Sequence, residues 1–411
     1  MALRILHLAD LHLGWEPRFL PEAARRAWQQ ERDGRLAQAV QCALQLDPPV
    51  DLAVIAGDLF DRHDPPEPLV QQAARALESL VQAGVAVVTV PGNHDEITYP
   101  NSVWRVWGSR WPGLLVTHPN PAPLGPLQTR RGPVWIYSLA YTGGITRAWP
   151  PVEALPPRQA EEGWHVGVFH GTVVDRPGGQ PAQGWQGWQG GQGWQEWQGW
   201  QGSAGLSLQE RSLPIYLQAL EGCGYHYVAL GHIHQHRRWQ LGPTLACYCG
   251  APDARGFDDP GVGFFTVATL GEGGAQVEQV PFSRRPVVTA DVDVGPFATV
   301  DELVRALVRG LELERSARPL VRVRLRGVCS FRLQPEQVEQ ELEPWCLHVR
   351  VEDQTEGLSE ERLEELAREP TVRGLLVRRL REAIRQADQP AARRRMVRAL
   401  QLALAALEGG P

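Results

Sequence analysis

The 411-residue chain predicts an α/β fold. Two observations carry that expectation. Apolar, β-branched runs alternate with helix-permissive stretches in a strand–helix–strand–helix–strand rhythm, and the runs empty into short polar motifs. Such a rhythm means parallel strands joined by crossovers, and in sheets of that kind ligands gather at the carboxyl ends of the strands. The length allows two or three domains with ample core.

Leu3–Ala9 reads as a first buried strand running straight into Asp10-Leu11-His12. Pro21–Leu46 is helix-permissive, with apolar residues recurring at Leu36, Val40, Ala43 and Leu44. Asp51–Ala56 is a second strand ending in G-D-L-F-D, residues 57–61. Pro65 and Pro66 punctuate before a helix over Glu67–Ala83, and a third strand, Gly84–Val90, delivers P-G-N-H-D at 91–95. The pattern then turns to short strands at Leu114–His118, Val134–Leu139 and His165–Phe169, the last followed by His170. Gly178–Gly205 is an insert of Gly, Gln and Trp with no usable periodicity; it reads as low complexity, with a base-stacking platform as the sharper alternative. A helix is expected over Ser207–Glu221, then a strand, Tyr225–Leu230, that empties into G-H-I-H at 231–234. Strands at Thr244–Gly250, Gly263–Leu270 and Gln276–Pro281 close a first domain, 1–283, as a second sheet packed on the first. A smaller β-α-β-α-β unit occupies 284–355, with strands at Val287–Val294, Leu320–Arg326 and Cys346–Val351. The tail, 356–411, is helical, divided by Pro370 and Pro390.

Formal net charge is −6 and all 41 basic residues are arginine, so no global basic field announces a nucleic-acid binder. Charge is instead segregated: twelve acids face three arginines over 335–370, and nine arginines face two acids over 371–407. Such runs are solvated helix faces, or they dock to an acidic coiled coil or DNA. The six cysteines never form C-x-x-C and read as reduced thiols. Asp10 and His12 fall where the apolar core of a signal peptide would lie, and no run approaches a membrane span, so a cytoplasmic setting with no membrane contact is expected.

The strand ends offer Asp10 and His12; Asp58; Asn93, His94 and Asp95; His170; and His232 and His234. In D-x-H and H-x-H, alternate residues of an extended backbone can point to one side. Imidazole, carboxylate and amide oxygen without thiolate favour manganese, iron or zinc over a structural zinc site. Seven potential ligands exceed what one catalytic ion with open positions takes and suit two divalent ions sharing a carboxylate. His94 is the imidazole not needed as a ligand, hence a proton donor or transition-state stabiliser, with Asp95 to orient it. His63 and His236 are candidates for supporting contacts, and Asp61 for a structural acid beside Asp58.

Taken together, D-L-H, G-D-L-F-D, G-N-H-D and G-H-I-H in this order resemble the calcineurin-like metallophosphoesterases, and more narrowly the DNA-repair exonucleases of the SbcD and YhaO type. The resemblance implies a four-layer α/β/β/α sandwich over 1–283, a small α+β capping domain over 284–355, and C-terminal helices. It implies one metal held by Asp10, His12, Asp58 and His234 and another by Asp58, Asn93, His170 and His232, both manganese, with His94 catalytic and supported by Asp95. It further implies cleavage of DNA phosphodiesters, 3′ to 5′ with some single-strand endonuclease activity, in repair or recombination. The implied partner is an SMC-like coiled-coil ATPase that holds the C-terminal helices, and the resemblance leaves room for a homodimer.

Two other readings compete. G-D-L-F-D-R, residues 57–62, overlaps a phosphatase pattern in which the arginine grips a phosphate dianion, which makes a phosphomonoesterase or protein phosphatase the alternative. A catalytically silent scaffold would have eroded ligands, and none is missing here.

Overall fold

The computed structural model describes residues 2–142, 152–158, 162–174, 212–327, 329, 331, 333–355, 360–387 and 389–407. The Gly/Gln/Trp insert and the first residues of the helix expected from Ser207 lie outside them. The chain divides into two compact units, Met1–Arg284 and Arg285–Pro411.

In the first unit, β1 (Leu3–Leu8), β2 (Leu52–Ala56), β3 (Ala86–Val90) and β4 (Leu114–Leu115) run parallel. Crossovers are made by α1 (Glu22–Asp33), α2 (Arg35–Gln45) and α3 (Glu67–Gln82). The helix expected over 21–46 is two helices, because Gly34 caps one and opens the other. The helix α4 (Val103–Trp107) begins at Ser102, whose hydroxyl accepts from Trp104 N.

A second sheet is formed by β5 (Ala122–Thr129), β6 (Gly132–Ser138), β7 (Trp164–His170), β10 (Tyr227–Gly231), β11 (Arg237–Leu241) and β12 (Thr244–Tyr248). The pair β8 (Thr172–Val174) and β9 (Pro214–Tyr216) stands apart as a small parallel ribbon. Of the helix expected over 207–221, the described residues form α5 (Leu217–Gly222), with Pro214–Tyr216 before it extended as β9. The antiparallel strands β13 (Phe264–Gly271) and β14 (Gly274–Pro281) return to the first sheet, giving the order β14-β13-β1-β2-β3-β4. The second sheet is ordered β11-β12-β10-β7-β6-β5.

The two sheets share one core. Ile5, Val54 and Val88 from the first belong to the same buried cluster as Ile136, Val166 and Ala229 from the second. Leu36, Val40, Val70 and Leu77 bring α2 and α3 onto the outer face of the first sheet, in that same cluster. A separate cluster, with Phe169, Tyr225, Leu220 and Tyr248, covers the outer face of the second sheet. The sandwich expected from the sequence is therefore the observed architecture, with a single short described helix on the second side.

In the second unit, β15 (Val287–Asp293), β16 (Leu320–Arg326) and β17 (His348–Asp353) form a parallel three-stranded sheet. Its apolar face packs on α6 (Val300–Gly310) and α7 (Pro335–Leu342) through Leu303, Leu307, Val323 and Val338. Thr299 caps α6 by accepting from Glu302 N. The tail is α8 (Glu360–Arg368), α9 (Val372–Gln386) and α10 (Pro390–Leu407), held by a small cluster of Leu366, Val377, Leu400 and Leu404.

Candidate metal centre

Every candidate ligand sits just past, or at, the carboxyl end of a parallel strand: β1, β2 and β3 on one sheet, β7 and β10 on the other. The backbone there is unusual. Asp10, His12, Asp58 and His232 have φ of 54°, 46°, 50° and 101°, a region that side chains larger than glycine rarely occupy. Asp10 and His12 thus converge through left-handed backbone turns, not through the alternation of an extended strand. Gly57 and Gly92 make room for the convergence. A Cβ on Gly57 would lie 2.1 Å from His170 Nδ1, and one on Gly92 would lie 2.2 Å from Asp58 Oδ1.

The candidate ligand atoms fall into two groups that meet at Asp58. On one side, His12 Nε2 lies 3.2 Å from His234 Nε2 and 3.7 Å from Asp58 Oδ2. Asp10, His12 and His234 each offer an atom within 4.8 Å of the others. On the other side, His170 Nε2 and His232 Nδ1 stand 2.8 and 2.9 Å from Asn93 Oδ1, and His170 Nε2 stands 3.4 Å from Asp58 Oδ2. The second oxygen of Asp58 is fixed, accepting from His94 N at 2.8 Å. The His232 amide donates to both oxygens of Asp10, at 3.0 and 3.1 Å, which ties the two sheets together at the site. All seven residues expected as ligands are thus brought together.

Electrostatics prepare Asp58, His12 and His232 in ligating forms and shift Asp10, His170 and His234 the other way. Burial alone would raise the Asp58 pKa, but the neighbouring charges and hydrogen bond of His170, with His12, hold it well below the usual carboxylate range. Against its own burial, His170 is lifted by Asp58 to about 9. His12 is pushed far below 6.5 by burial, and His232 falls to about 3 through burial and the nearby His170. Ionised carboxylate and neutral imidazole are the forms that bind a cation. His170 must give up a proton to join them. Its Nδ1–H donates to Ala56 O at 2.9 Å, which leaves Nε2 as the nitrogen facing the cluster. The donor set fits a divalent pair: nitrogen and oxygen atoms converge in a largely buried pocket, and among them are two buried carboxylates.

The surroundings of His94 differ from the expectation. Its Nδ1–H donates to the backbone carbonyl of Asp61 at 3.1 Å, and Asp61 Oδ1 lies 3.7 Å away. Asp95 finds its partners elsewhere. Its fully buried carboxylate accepts from Phe60 N at 3.1 Å and Gly92 N at 2.7 Å, pinning the β2 and β3 end loops to each other. Burial, then the nearby Asp58, pushes Asp95 up to about 7. The reason is geometric: after Pro91-Gly92 the chain turns, so consecutive side chains diverge and Asp95 points back under the loop.

Supporting residues that sequence reasoning missed come from the segment after β12. Asp259 accepts from His234 Nδ1 at 2.6 Å, fixing the tautomer that turns Nε2 to the site. The acid pair Asp258-Asp259 was the available signal, but nothing local ties it to His234. Arg255 reaches His12 Nε2 at 3.3 Å. Of the histidines expected to play supporting parts, His63 stacks on Tyr99 and His236 packs edge-on against Phe264. All six cysteines are free thiols.

Comparison with known proteins places this geometry. The family model described as calcineurin-like phosphoesterase matches residues 3–236. The SbcD subunit of the nuclease SbcCD from Rhodobacter capsulatus is 26% identical over 325 residues, covering 75% of this chain and 76% of that protein. The DNA double-strand break repair protein Mre11 of Methanopyrus kandleri is 35% identical over 330 residues, 75% of this chain and 63% of that protein. The Mre11 of Aeropyrum pernix is 37% identical over 95 residues, so the chain spans 21% of that relative. The family match takes in more than half of the chain and every strand-end motif described above, and the chain belongs to the calcineurin-like phosphoesterase family.

Proposed function

We propose that the protein is a metal-dependent DNA nuclease, an exonuclease acting 3′ to 5′ with single-strand endonuclease activity, in DNA repair or recombination. One observation carries the reading: seven candidate ligands from two sheets form two groups joined at Asp58, in a chain whose relatives are named as a nuclease subunit and as DNA double-strand break repair proteins.

Asp10, His12, Asp58 and His234 would hold one ion, and Asp58, Asn93, His170 and His232 the other; manganese, which the family resemblance implies, is one of the metals that fit this oxygen-and-imidazole set. Bound there, a pair of divalent ions would clamp a phosphate and activate water at neutral pH. The chain's own residues do the rest. His94, its Nδ1–H committed to Asp61 O, keeps Nε2 for the substrate; when that nitrogen is protonated it can deliver the proton to the leaving oxygen. Asp259 and the Ala56 carbonyl hold His234 and His170 in the required tautomers. Asp95 keeps the two loops in register.

The phosphatase alternative asks Arg62 to grip a phosphate dianion. That guanidinium is paired with Asp64 at 2.5 Å and its side chain is 61% exposed, turned to solvent. An SMC-like ATPase as partner is supported by the tail. Val372 and Leu375 on α9 and Leu407 on α10 are large apolar residues left exposed at 75%, 50% and 50%.

The test is an assay of the purified protein with manganese on end-labelled duplex DNA and on p-nitrophenyl phosphate. Shortening of DNA from the 3′ end is expected. Turnover of the monoester with intact DNA would overturn the nuclease reading.

A further inference from the structure

We propose that Arg255 contacts the substrate: its guanidinium binds a non-bridging oxygen of the scissile phosphate, on the Asp61 side of the candidate metal centre. The proposal rests on the phosphodiesterase reading above but concerns a residue outside the ligand motifs.

Arg255 stands at the edge of the candidate metal centre. Arg255 Nη1 lies 3.3 Å from His12 Nε2 and Nη2 lies 3.8 Å from Asp61 Oδ1, the acid whose own carbonyl holds His94. The side chain is 24% exposed, so it reaches both the buried ligands and the open side of the site. Other arginines near Asp61 do neither. Arg62 is turned to solvent with Asp64, and Arg32 is 2% exposed beneath Trp15, its Cζ 4.6 Å from that ring.

The loop presenting Arg255 is built to hold still. Ala251 N donates to His234 O at 2.9 Å, Arg255 N to Asp259 O at 2.8 Å and Val262 N to Ala251 O at 2.8 Å. Buried Asp253 bonds Arg35 Nε at 2.6 Å and Ala254 N at 2.9 Å. Gly261, at φ +64°, packs so closely that a Cβ there would lie 2.4 Å from the Asp253 carbonyl carbon. Arg255 Cζ also lies 5.9 Å from the Trp15 ring centroid, a second restraint on the guanidinium. A cation fixed in advance where negative charge develops needs no reorganisation at the moment of reaction.

The guanidinium also has unspent capacity. Arginine has five N–H donors in a planar fork that matches phosphate oxygens, and the contacts at 3.3 and 3.8 Å engage two of them only loosely. The His12 Nε2 lone pair that Nη1 meets is the one a cation would take. Loading the site therefore removes that acceptor, adds a like charge, and leaves the fork to an anion.

The test uses the full chain loaded with manganese, as wild type, Arg255→Lys and Arg255→Ala. Each is checked for metal content by elemental analysis and for folding by thermal unfolding. Rates are read on bis(p-nitrophenyl) phosphate, a diester with no bases or flanking phosphates, and affinity for inorganic phosphate is read by calorimetry. Arg255→Ala is expected to keep its metal, to lose about 10²-fold in kcat/KM, to bind phosphate at least about tenfold more weakly, and to regain part of its rate with added guanidinium. Arg255→Lys should fall between. Unchanged phosphate affinity in Arg255→Ala overturns the proposal, as does a rate loss that follows metal loss. A wild type that cleaves neither this diester nor DNA overturns the phosphodiesterase reading alone, because phosphate binding by the three proteins still decides Arg255.

Discussion

The pair His94 and Asp95 shows how two neighbours in sequence part company in space. His94 takes its orientation from Asp61, while Asp95 holds two backbone amides in a dry interior. The variants should differ accordingly. His94→Ala is expected to keep its metals and melting temperature and to lose about 10²–10⁴-fold in rate. Asp95→Ala leaves two buried N–H groups unsatisfied, at about 1–3 kcal/mol each, so a lowered melting temperature should accompany its loss of activity. An Asp95→Ala protein with wild-type unfolding and only a kinetic defect would show that the carboxylate acts on His94 after all. His7 gives a second expectation. Burial, with His236 nearby, lowers its pKa from 6.5 to about 3, and its ring bonds Tyr227 Oη at 2.8 Å. Folded His7 thus stays neutral while the unfolded chain takes a proton below pH 6.5, so stability should fall as pH drops from there toward 3. The slope from this group is at most about 1.4 kcal/mol per pH unit. Urea midpoints at about pH 7, 6 and 5 measure it, and His7→Gln should flatten the trend; an unchanged slope would place the acid sensitivity elsewhere.

At the scale of elements, the strands that carry the chemistry were the legible ones. β1, β2, β3, β7 and β10 are short apolar runs with a polar motif behind them, and burial of both faces explains the continuous hydrophobicity. The edge strands of the second sheet were not legible. β5 contains two prolines and β11 opens with two arginines, residues that suit an edge and hide a strand pattern. The loops between strand and ligand are the most constrained parts. Gly92→Ala would drive a methyl into Asp58, so the variant is expected to lose bound manganese by elemental analysis as well as activity. Full metal occupancy in that protein would mean that the β3 loop can shift without moving Asp58.

On the scale of the whole molecule, the site is a joint between two sheets. Asp10, His12, Asp58 and Asn93 come from one, His170, His232 and His234 from the other, with His232 N bonded to Asp10 and His170 Nδ1 to Ala56 O across the joint. Ions held there would cross-link the sheets and relieve the crowding of buried Asp10 and Asp58. Manganese should therefore raise the melting temperature, by about 2.7 kcal/mol of added stability at about a hundred times its dissociation constant. Scanning calorimetry with manganese and with a chelator measures this, and Asp58→Asn should abolish the shift. An identical melting temperature in both buffers would count against a metal joint.

Residue order alone was enough to name the parts: which strands are buried, which polar residues follow them, and in what succession. Those are local properties, written in hydrophobic periodicity and in the turn residues next to it. How the parts meet was settled by packing in three dimensions. Left-handed backbone at Asp10, His12 and Asp58 turns their side chains together, Asp61 takes the task expected of Asp95, and Asp259 and Arg255 arrive from a distant loop. Contacts such as Arg255 with His12 or His232 with Asp10 join residues far apart in the chain and leave no local pattern, because they depend on the packing of one sheet against another.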